Sequence, residues 1–408
     1  MRSDSKVNVC LISYHYEEER GRPNLVKRAL SAMDFVKDLR VVASNFDHIT
    51  KEVIPNTEQN ITRLRVRQYS NNISLKRVLS YWDFARQLSA LPILTTTQIA
   101  YVCVPDYLSA LTVLRRRTGR TERVIIDVVD LWPEALPLPR LVNGLLKWAL
   151  GSGIKRLRQR LFRDANLVLF QSQYFLSQFG GNGERYGFLP MCAGKTSQAD
   201  FVWDGPSLAS EIRILFLGSM NSITDLASLV HILRILVEER KVSLSVVGGG
   251  SSLGWLKEQL RGTPVITTFY GITFDKDIKN GEFRQTHFGY NGYRETTEVA
   301  VSYKSLELLQ HGIPLINSAK GDTFEIVRNE ECGLNFERKS LQAVAKRILS
   351  LTDVAHSHMR QNARRAFEVN FSYPGFCRAL ATYMEKLLVD FPPDRLGYRR
   401  FRGAMILG

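Results

Sequence analysis

Twice along this chain, short runs of β-branched and apolar residues alternate with longer stretches of helical periodicity. In the first half the runs are Val7–Ile12, Leu39–Ala43, Ile99–Val104, Arg123–Val128 and Leu167–Phe170, separated by amphipathic stretches such as Leu25–Lys37 and Ser74–Leu91. The second half repeats the theme with Ile212–Leu217, Ser243–Val247, Val265–Phe269, His287–Tyr290 and Pro314–Asn317. Helical patterns intervene at Leu226–Glu238, Leu253–Gln259 and Tyr303–Gln310, and Phe376–Leu388 is a strongly amphipathic helix near the end. Such alternation predicts parallel sheets covered by helices on both faces, because parallel strands need a crossover and bury both sides.

A length of 408 residues suits two domains of roughly 150–200 residues each. The segment Gly180–Ser210 interrupts the pattern with Gly, Pro, Asn and Ser, and reads as the connection. The expected division is therefore an α/β domain over 1–190, a linker over 191–210, a second α/β domain over 211–372, and a C-terminal helix with a basic tail over 373–408, expected to cross back to the first domain. Two Rossmann-like domains in tandem would set the carboxyl ends of two sheets across a cleft, which is where open parallel sheets bind ligands.

No window offers about 20 uninterrupted apolar residues, so no transmembrane helix is expected. The start lacks the apolar core and cleavage site of a signal peptide. Five scattered cysteines without metal spacing suit reduced thiols in the cytosol. The formal net charge of +15 favours anionic partners: phosphorylated ligands, anionic lipid or nucleic acid. No RNP-like, helix-turn-helix or zinc pattern supports the last of these.

Three motifs carry chemistry. Val246-Val247-Gly248-Gly249-Gly250 closes a strand ahead of a helix, so its glycines either let the backbone approach a phosphate or form a plain tight turn. The run Val301–Asn317 reads as loop, short helix, glycine stop and buried strand, with Ser302 as the N-cap. Lys304 falls in the first turn, where the helix dipole gives a cation no help, so it reads either as the partner of an anion over the same helix end or as a solvated lysine on an exposed turn. The run Ser318–Val327 repeats strand, glycine turn and helix start, a second set of backbone donors suited to an anion or a sugar hydroxyl.

The stretch Lys304–Val327 resembles the C-terminal half of the retaining GT-B glycosyltransferases of family four. Glu307, Gly312, Pro314 and Glu325–Val327 fall at the matching positions, and Gly321-Asp322 stands where a Gly-Gly loop is usual. Arg213–Ser219 is similar to the strand and glycine loop that open the nucleotide-binding domain, and Val246–Gly250 to its second strand end. In the first half, Asp127-Val128-Val129-Asp130-Leu131-Trp132-Pro133-Glu134 resembles a signature common in capsule, exopolysaccharide and O-antigen transferases.

The resemblance implies a nucleotide-sugar donor, sugar transfer with retention, and no cofactor or metal. It implies a donor site formed by Gly218, Ser219, Gly248, Gly249, Gly250, Tyr303, Lys304, Ser305, Glu307, Gly321, Thr323 and Glu325. Glu307 would hold the ribose and the turn around Lys304 the diphosphate. Asp130, Glu298 and Asp322 are the catalytic candidates, with Asp127 and Asp130 alternatively simple N-caps. Gly21, Arg22 and Asp127 would face the acceptor, and the arginines Arg20 and Arg22 either suit an anionic group such as a lipid diphosphate or belong to a plain surface loop. Two departures stand out. The family's second glutamate would fall at Val299, with Glu298 one step away, and the loop Gly218–Ser222 lacks a nearby cation. Asp275-Lys276-Asp277 matches an Asp-x-Asp metal pattern but reads as a solvated turn, since helix dipole and basic groups can neutralise a leaving diphosphate.

Leu141–Arg163 mixes Lys147, Lys155, Arg156, Arg158, Arg160 and Arg163 with Leu, Ile, Trp and Phe, and Gly151-Ser152-Gly153 is expected to break it in two. It reads either as an interfacial helix on an anionic membrane or as a domain helix with a solvated basic face. The expectation is a cytoplasmic, peripheral glycosyltransferase of surface polysaccharide synthesis with a lipid-linked saccharide acceptor. The alternative is a non-catalytic GT-B-like subunit that supports another glycosyltransferase.

Overall fold

The computed structural model describes residues 6–18, 21–56, 59–71, 74–117, 122–130, 144–181, 183–193, 203–273 and 275–389. The chain divides into two compact units. One is drawn from Met1–Gln171, Phe175–Leu189 and Cys377–Gly408, the other from Ser172–Tyr174 and Pro190–Phe376.

The first series of elements is β1 (Val7–Ser13), α1 (Arg22–Ser31), β2 (Val36–Ser44), β3 (Ile61–Leu64), α2 (Leu75–Ala90), α3 (Ile93–Thr96), β4 (Ile99–Val104), α4 (Tyr107–Arg116), β5 (Arg123–Val128), α5 (Gly144–Asp164), β6 (Leu167–Phe170), α6 (Gln173–Phe179) and β7 (Tyr186–Phe188). All strand pairs are parallel, in the order β3-β2-β1-β4-β5-β6-β7. Every residue of β4 and of β6 is buried, as two-sided helix cover demands.

The second series is β8 (Glu211–Ser219), α7 (Leu226–Glu239), β9 (Lys241–Gly249), α8 (Leu253–Leu260), β10 (Ile266–Gly271), α9 (Lys276–Gln285), β11 (Phe288–Asn291), α10 (Tyr303–Gln310), β12 (Leu315–Asn317), α11 (Asp322–Asn329), β13 (Gly333–Asn335), α12 (Leu341–Leu349), α13 (Asp353–Asn370) and α14 (Tyr373–Val389). Its parallel sheet runs β10-β9-β8-β11-β12-β13. Numbered within each unit, the second sheet has the Rossmann order 3-2-1-4-5-6 and the first the same order extended by a seventh strand, so each has a switch point beside its first strand. The two Rossmann-like α/β sheets give the chain the GT-B fold class.

Short polar side chains start the helices. Ser74, Asp106, Asp225, Asp275 and Thr352 each accept a backbone N–H of the helix they precede. Pro23 in the first turn starts α1 at Arg22, three residues ahead of the expected Leu25, and Val36–Lys37 belong to β2 rather than to this helix.

Two sequence expectations are corrected. The connection Gly180–Ser210 contains β7, which pairs with β6 through Val168 and Tyr186. Tyr383 of α14 packs on that strand: its hydroxyl oxygen accepts the Phe188 N–H at 2.9 Å, and a Cβ on Gly187 would meet its ring at 2.6 Å. Gly151-Ser152-Gly153 does not break α5, which is continuous over 21 residues. Each glycine costs a helix about 1 kcal/mol, but buried Leu161 and Phe162 fasten the helix into the core and outweigh that.

Candidate functional site

In the second unit, chemistry gathers at the carboxyl ends of the strands around the β8–β11 switch point. Gly218 and Ser219 end β8, and Gly249 ends β9. The two loops are in direct backbone contact: Met220 N–H donates to Gly249 O at 2.8 Å, and Ser252 N–H to Met220 O at 3.1 Å. Gly248 has φ +153°, and a Cβ there would lie 1.9 Å from Gly218 O. Gly250, at φ +144°, would collide with Met220 O at 2.3 Å. The glycines are therefore required by the close approach of two protein backbones; Gly218, Ser219 and Gly250 remain exposed and Gly249 half-buried.

Across the switch point, asparagines at the ends of three adjacent strands join side chain to side chain. Asn291 Nδ2 donates to Asn317 Oδ1 at 2.8 Å, and Asn317 Nδ2 to Asn335 Oδ1 at 2.7 Å, along the registered positions of β11, β12 and β13. Asn291 Oδ1 accepts from Ser302 Oγ at 3.2 Å. Ser302 in turn caps α10: its Oγ accepts the Ser305 N–H and the Ser305 Oγ accepts the Ser302 N–H, both at 3.3 Å. Ser305 is thus consumed by the cap and buried, whereas the first-turn N–H groups of Tyr303 and Lys304 lie ahead of the intrahelical ladder.

Lys304 points its Nζ over the ring of Tyr293, 4.2 Å from the centroid, with Phe216 5.3 Å away. Desolvation pulls this amine down to about 7. Among the described residues no carboxylate forms an ion pair with it. A cation sits on apolar and aromatic neighbours at the positive end of a helix, an arrangement that an incoming anion would stabilise. One turn on, Glu307 pairs with Lys279 of α9. Both side chains keep partial solvent contact, at 34% and 22% exposure, so the carboxylate can still accept from hydroxyls. Lys279 was not anticipated, being 28 residues away in sequence.

Other anticipated residues are engaged differently. Both oxygens of Asp322 accept backbone N–H groups, from Gln173 and Tyr174 at 2.7 Å each, within the same unit. Thr323 is buried and donates its hydroxyl to Ala300 O at 2.6 Å, so it does not face a ligand. Gly321 takes φ +65°, with Tyr174 filling the place of a Cβ. Glu325 is exposed and pairs with Arg328. Glu298 is exposed in the loop between β11 and α10; burial first, and the Glu298 charge second, push the Tyr174 phenol upward. Asp275 accepts the Asp277 N–H at 2.8 Å as the cap of α9.

In the first unit, Arg22 and Asp127 do not line an accessible acceptor site. They form a buried ion pair, with Tyr101 Oη donating to Asp127 at 2.7 Å and an Arg22 terminal nitrogen to Leu189 O at 2.8 Å. Gly21 supplies the φ +85° turn ahead of α1. Asp130 is exposed beyond β5, and Leu131, Trp132, Pro133 and Glu134 of the signature lie outside the described residues. Of the basic segment Leu141–Arg163, residues 141–143 also lie outside them. Lys155, Arg156, Arg160 and Arg163 are exposed, but Arg158 is buried, its guanidinium 4.8 Å from the Phe179 ring centroid.

Beyond β1 and β2 the rings of His15 and His48 lie 4.3 Å apart, and burial lowers both imidazoles. There Glu17, Asp47 and His48 bring ligand atoms within 4.8 Å of one another, the one group among the described residues able to hold a metal. In the second unit a 620 Å³ cavity lined by Trp203, His356 and Arg360 lies at the other end of the strands from Lys304. Arg360 there donates to Thr286 O and His311 O, both carbonyls just before strands.

Residues 211–353 match the family described as glycosyl transferases group 1. No curated protein matches the chain. Among solved structures, it is similar to a sucrose-phosphate synthase from Thermosynechococcus elongatus, with a TM-score of 0.68 at 17% identity over 94% of this chain and 100% of that one. It is similar to Anabaena HepE in complex with UDP-glucose, with a TM-score of 0.62 at 14% identity over 93% and 100% of the two chains. WaaG, a glycosyltransferase involved in lipopolysaccharide biosynthesis, gives 0.58 at 14% identity over 92% and 99%. Residues 211–353 thus resemble the glycosyl transferases group 1, within a chain of the GT-B fold.

Proposed function

We propose that the protein transfers a sugar from a nucleotide-sugar donor to a saccharide acceptor, with retention at the anomeric carbon. The observation that carries this is Lys304, a desolvated cation without a carboxylate partner at the start of α10, one turn before Glu307. In this reading the first-turn N–H groups of α10 and the Lys304 ammonium bind the diphosphate and neutralise the charge that grows on it as the glycosidic bond breaks. Glu307, steadied by Lys279, accepts from the ribose hydroxyls. The backbone of Gly218–Ser219 and Gly249–Gly250 borders the nucleotide, and Tyr303 and Gly321 border the sugar. Of the catalytic candidates, Glu298 and Asp130 have exposed carboxylates, whereas Asp322 acts by holding backbone N–H groups. The likeness to a UDP-glucose complex makes uridine diphosphate sugars the first donors to test.

The acceptor is proposed to be lipid-linked, in synthesis of a bacterial surface polysaccharide, with the protein peripheral at the cytoplasmic face of the membrane. Among the described residues no helix is long and apolar enough to cross a membrane. No metal or other cofactor is assigned to the transfer, since Lys304 and the helix start supply positive charge at the diphosphate.

Calorimetric titration with UDP and a set of nucleotide-sugars tests the donor site. Micromolar binding that Glu307→Gln weakens about tenfold is expected, the loss of a charge-assisted hydrogen bond or two. Equal affinity in the variant would overturn the ribose assignment. A second reading, a non-catalytic partner subunit, is favoured by the engagement of both Asp322 oxygens. Donor binding without donor hydrolysis or transfer, under any acceptor tried, would select it.

A further inference from the structure

Helix α2 carries two apolar stripes. Tyr81, Phe84, Ala85 and Leu88 face the core. On the opposite side Leu75, Val78, Leu79 and Trp82 are exposed, at 82%, 52%, 42% and 51%. Their spacing of three, four and seven places them, at 100° per residue, within a sector of roughly 100°. Scattered exposed apolar residues are ordinary, but a contiguous stripe marks a surface that is covered in use.

The chemistry around the stripe says what covers it. Lys76 is exposed beside it, and Arg86 continues it, with its guanidinium 5.6 Å from the Trp82 ring centroid. Helix α4 packs against both α2 and α5, and its exposed Arg115 and Arg116 end next to α2, where Arg116 donates to Ser89 O. Helix α5 adds the exposed Lys155, Arg156, Arg160 and Arg163. The only carboxylates on these three helices are Asp83 and Asp164, each already paired, with Arg67 at 3.0 Å and Arg163 at 3.4 Å. Leucine and tryptophan in one stripe, rimmed by arginine and lysine, are the composition of a helix lying in a lipid interface. A second copy of this chain would bring another net charge of +15 to the same face.

We propose that the outer face of α2, α4 and α5 docks on an anionic phospholipid bilayer, with Leu75, Val78, Leu79 and Trp82 entering the interface and the arginines and lysines on the headgroups. This places the membrane contact on α2, with α5 as its basic flank. It does not rest on the sugar-transfer reading, because every residue involved belongs to the first unit and Lys304 to the second.

Flotation of the full chain with vesicles of equimolar phosphatidylglycerol and phosphatidylcholine, and with phosphatidylcholine alone, tests it. The parent should float with the anionic vesicles and not with the neutral ones. Leu79→Ser with Trp82→Ser should lower partitioning at least about tenfold, since two apolar side chains lose their place in lipid. Leu75→Ser with Val78→Ser should act likewise, and keeps the test open if the first pair unfolds. UDP affinity and the unfolding midpoint should not change. Failure of the parent to float overturns the proposal. So does unchanged flotation of both serine pairs while Lys76→Gln with Arg86→Gln releases the protein, which is adhesion by charge alone. A parent dimer that a serine pair turns into monomers without changing flotation assigns the stripe to a second copy. Failure of UDP to bind would bear on the proposed function only.

Discussion

Arg22 donates from its Nε to both carboxylate oxygens of Asp127, at 3.0 and 2.8 Å, where neither side chain meets water. Together with Tyr101 and the Leu189 carbonyl, the pair ties the start of α1 to β5 and to the chain after β7. Asp127→Asn should therefore cost about 3 kcal/mol of stability, because it leaves a guanidinium buried without its counter-charge. Urea unfolding reads the loss, and UDP affinity should be untouched. A variant as stable as the parent but blind to acceptor would return Asp127 to the acceptor role.

Lys304 makes donor binding depend on pH. Its folded value of about 7 lies below the ordinary 10.5, so the amine is increasingly neutral above pH 7. A diphosphate restores the charged form, and binding then takes up a proton. Affinity for UDP should fall as pH rises from 7 to 9, by at most about tenfold per unit. Lys304→Met should bind UDP more weakly at pH 7 and show a flat profile across that range. For folding the sign is opposite: the cost of burying the cation is fully present below pH 7 and fades toward 10.5, so Lys304 makes the free protein more stable as pH rises through that window. Equal UDP affinities at the two ends of the range in the parent would remove the ammonium from the diphosphate site.

Gly248→Ala should damage the second unit more than an ordinary surface change. At φ +153° and with Gly218 O 1.9 Å from the added carbon, two loops must part. A loss of about 2 kcal/mol or more is expected, with weaker UDP binding, measured together by thermal unfolding with and without UDP. An alanine variant with the parent's melting temperature would show that the loops are free to separate.

Sugar transfer should survive excess chelator. Asp275 spends its carboxylate on the cap of α9, and in the proposed reading Lys304 provides charge at the diphosphate. Activity lost to chelator and restored by a divalent ion would direct attention to Glu17, Asp47 and His48, where His48→Ala would then reproduce the loss.

The periodicity made the alternation of strands and helices readable, and Ile99–Val104, Arg123–Val128 and Leu167–Phe170 emerge with the same ends in the structure. Burial on both faces makes such strands unbroken apolar runs with polar borders. β3, β7 and β13 have three or four residues and include Arg63, Gly187, Gly333 and Asn335, so only their parallel neighbours define them. At the site, Ser302 and Lys304 were legible because a helix start has its own local chemistry. Pairings across the fold were not. Arg22 and Asp127 stand 105 residues apart, and Asn291, Asn317 and Asn335 meet only through strand register. An arginine after a glycine and an aspartate at a strand end look the same in sequence whether they serve a ligand or each other.

The aromatic bed of Lys304 also gives the chain a reactive handle. At pH 7 an ordinary lysine is a free amine in about one molecule in a few thousand, whereas a lysine at about 7 is a free amine in half of them. The neutral amine is the nucleophile, so limiting acylation or reductive alkylation near neutrality should favour Lys304 with reagents small enough to enter its half-buried site. Nucleotide bound as proposed would shield the amine and reprotonate it, so the extent of labelling would report occupancy without any knowledge of the acceptor.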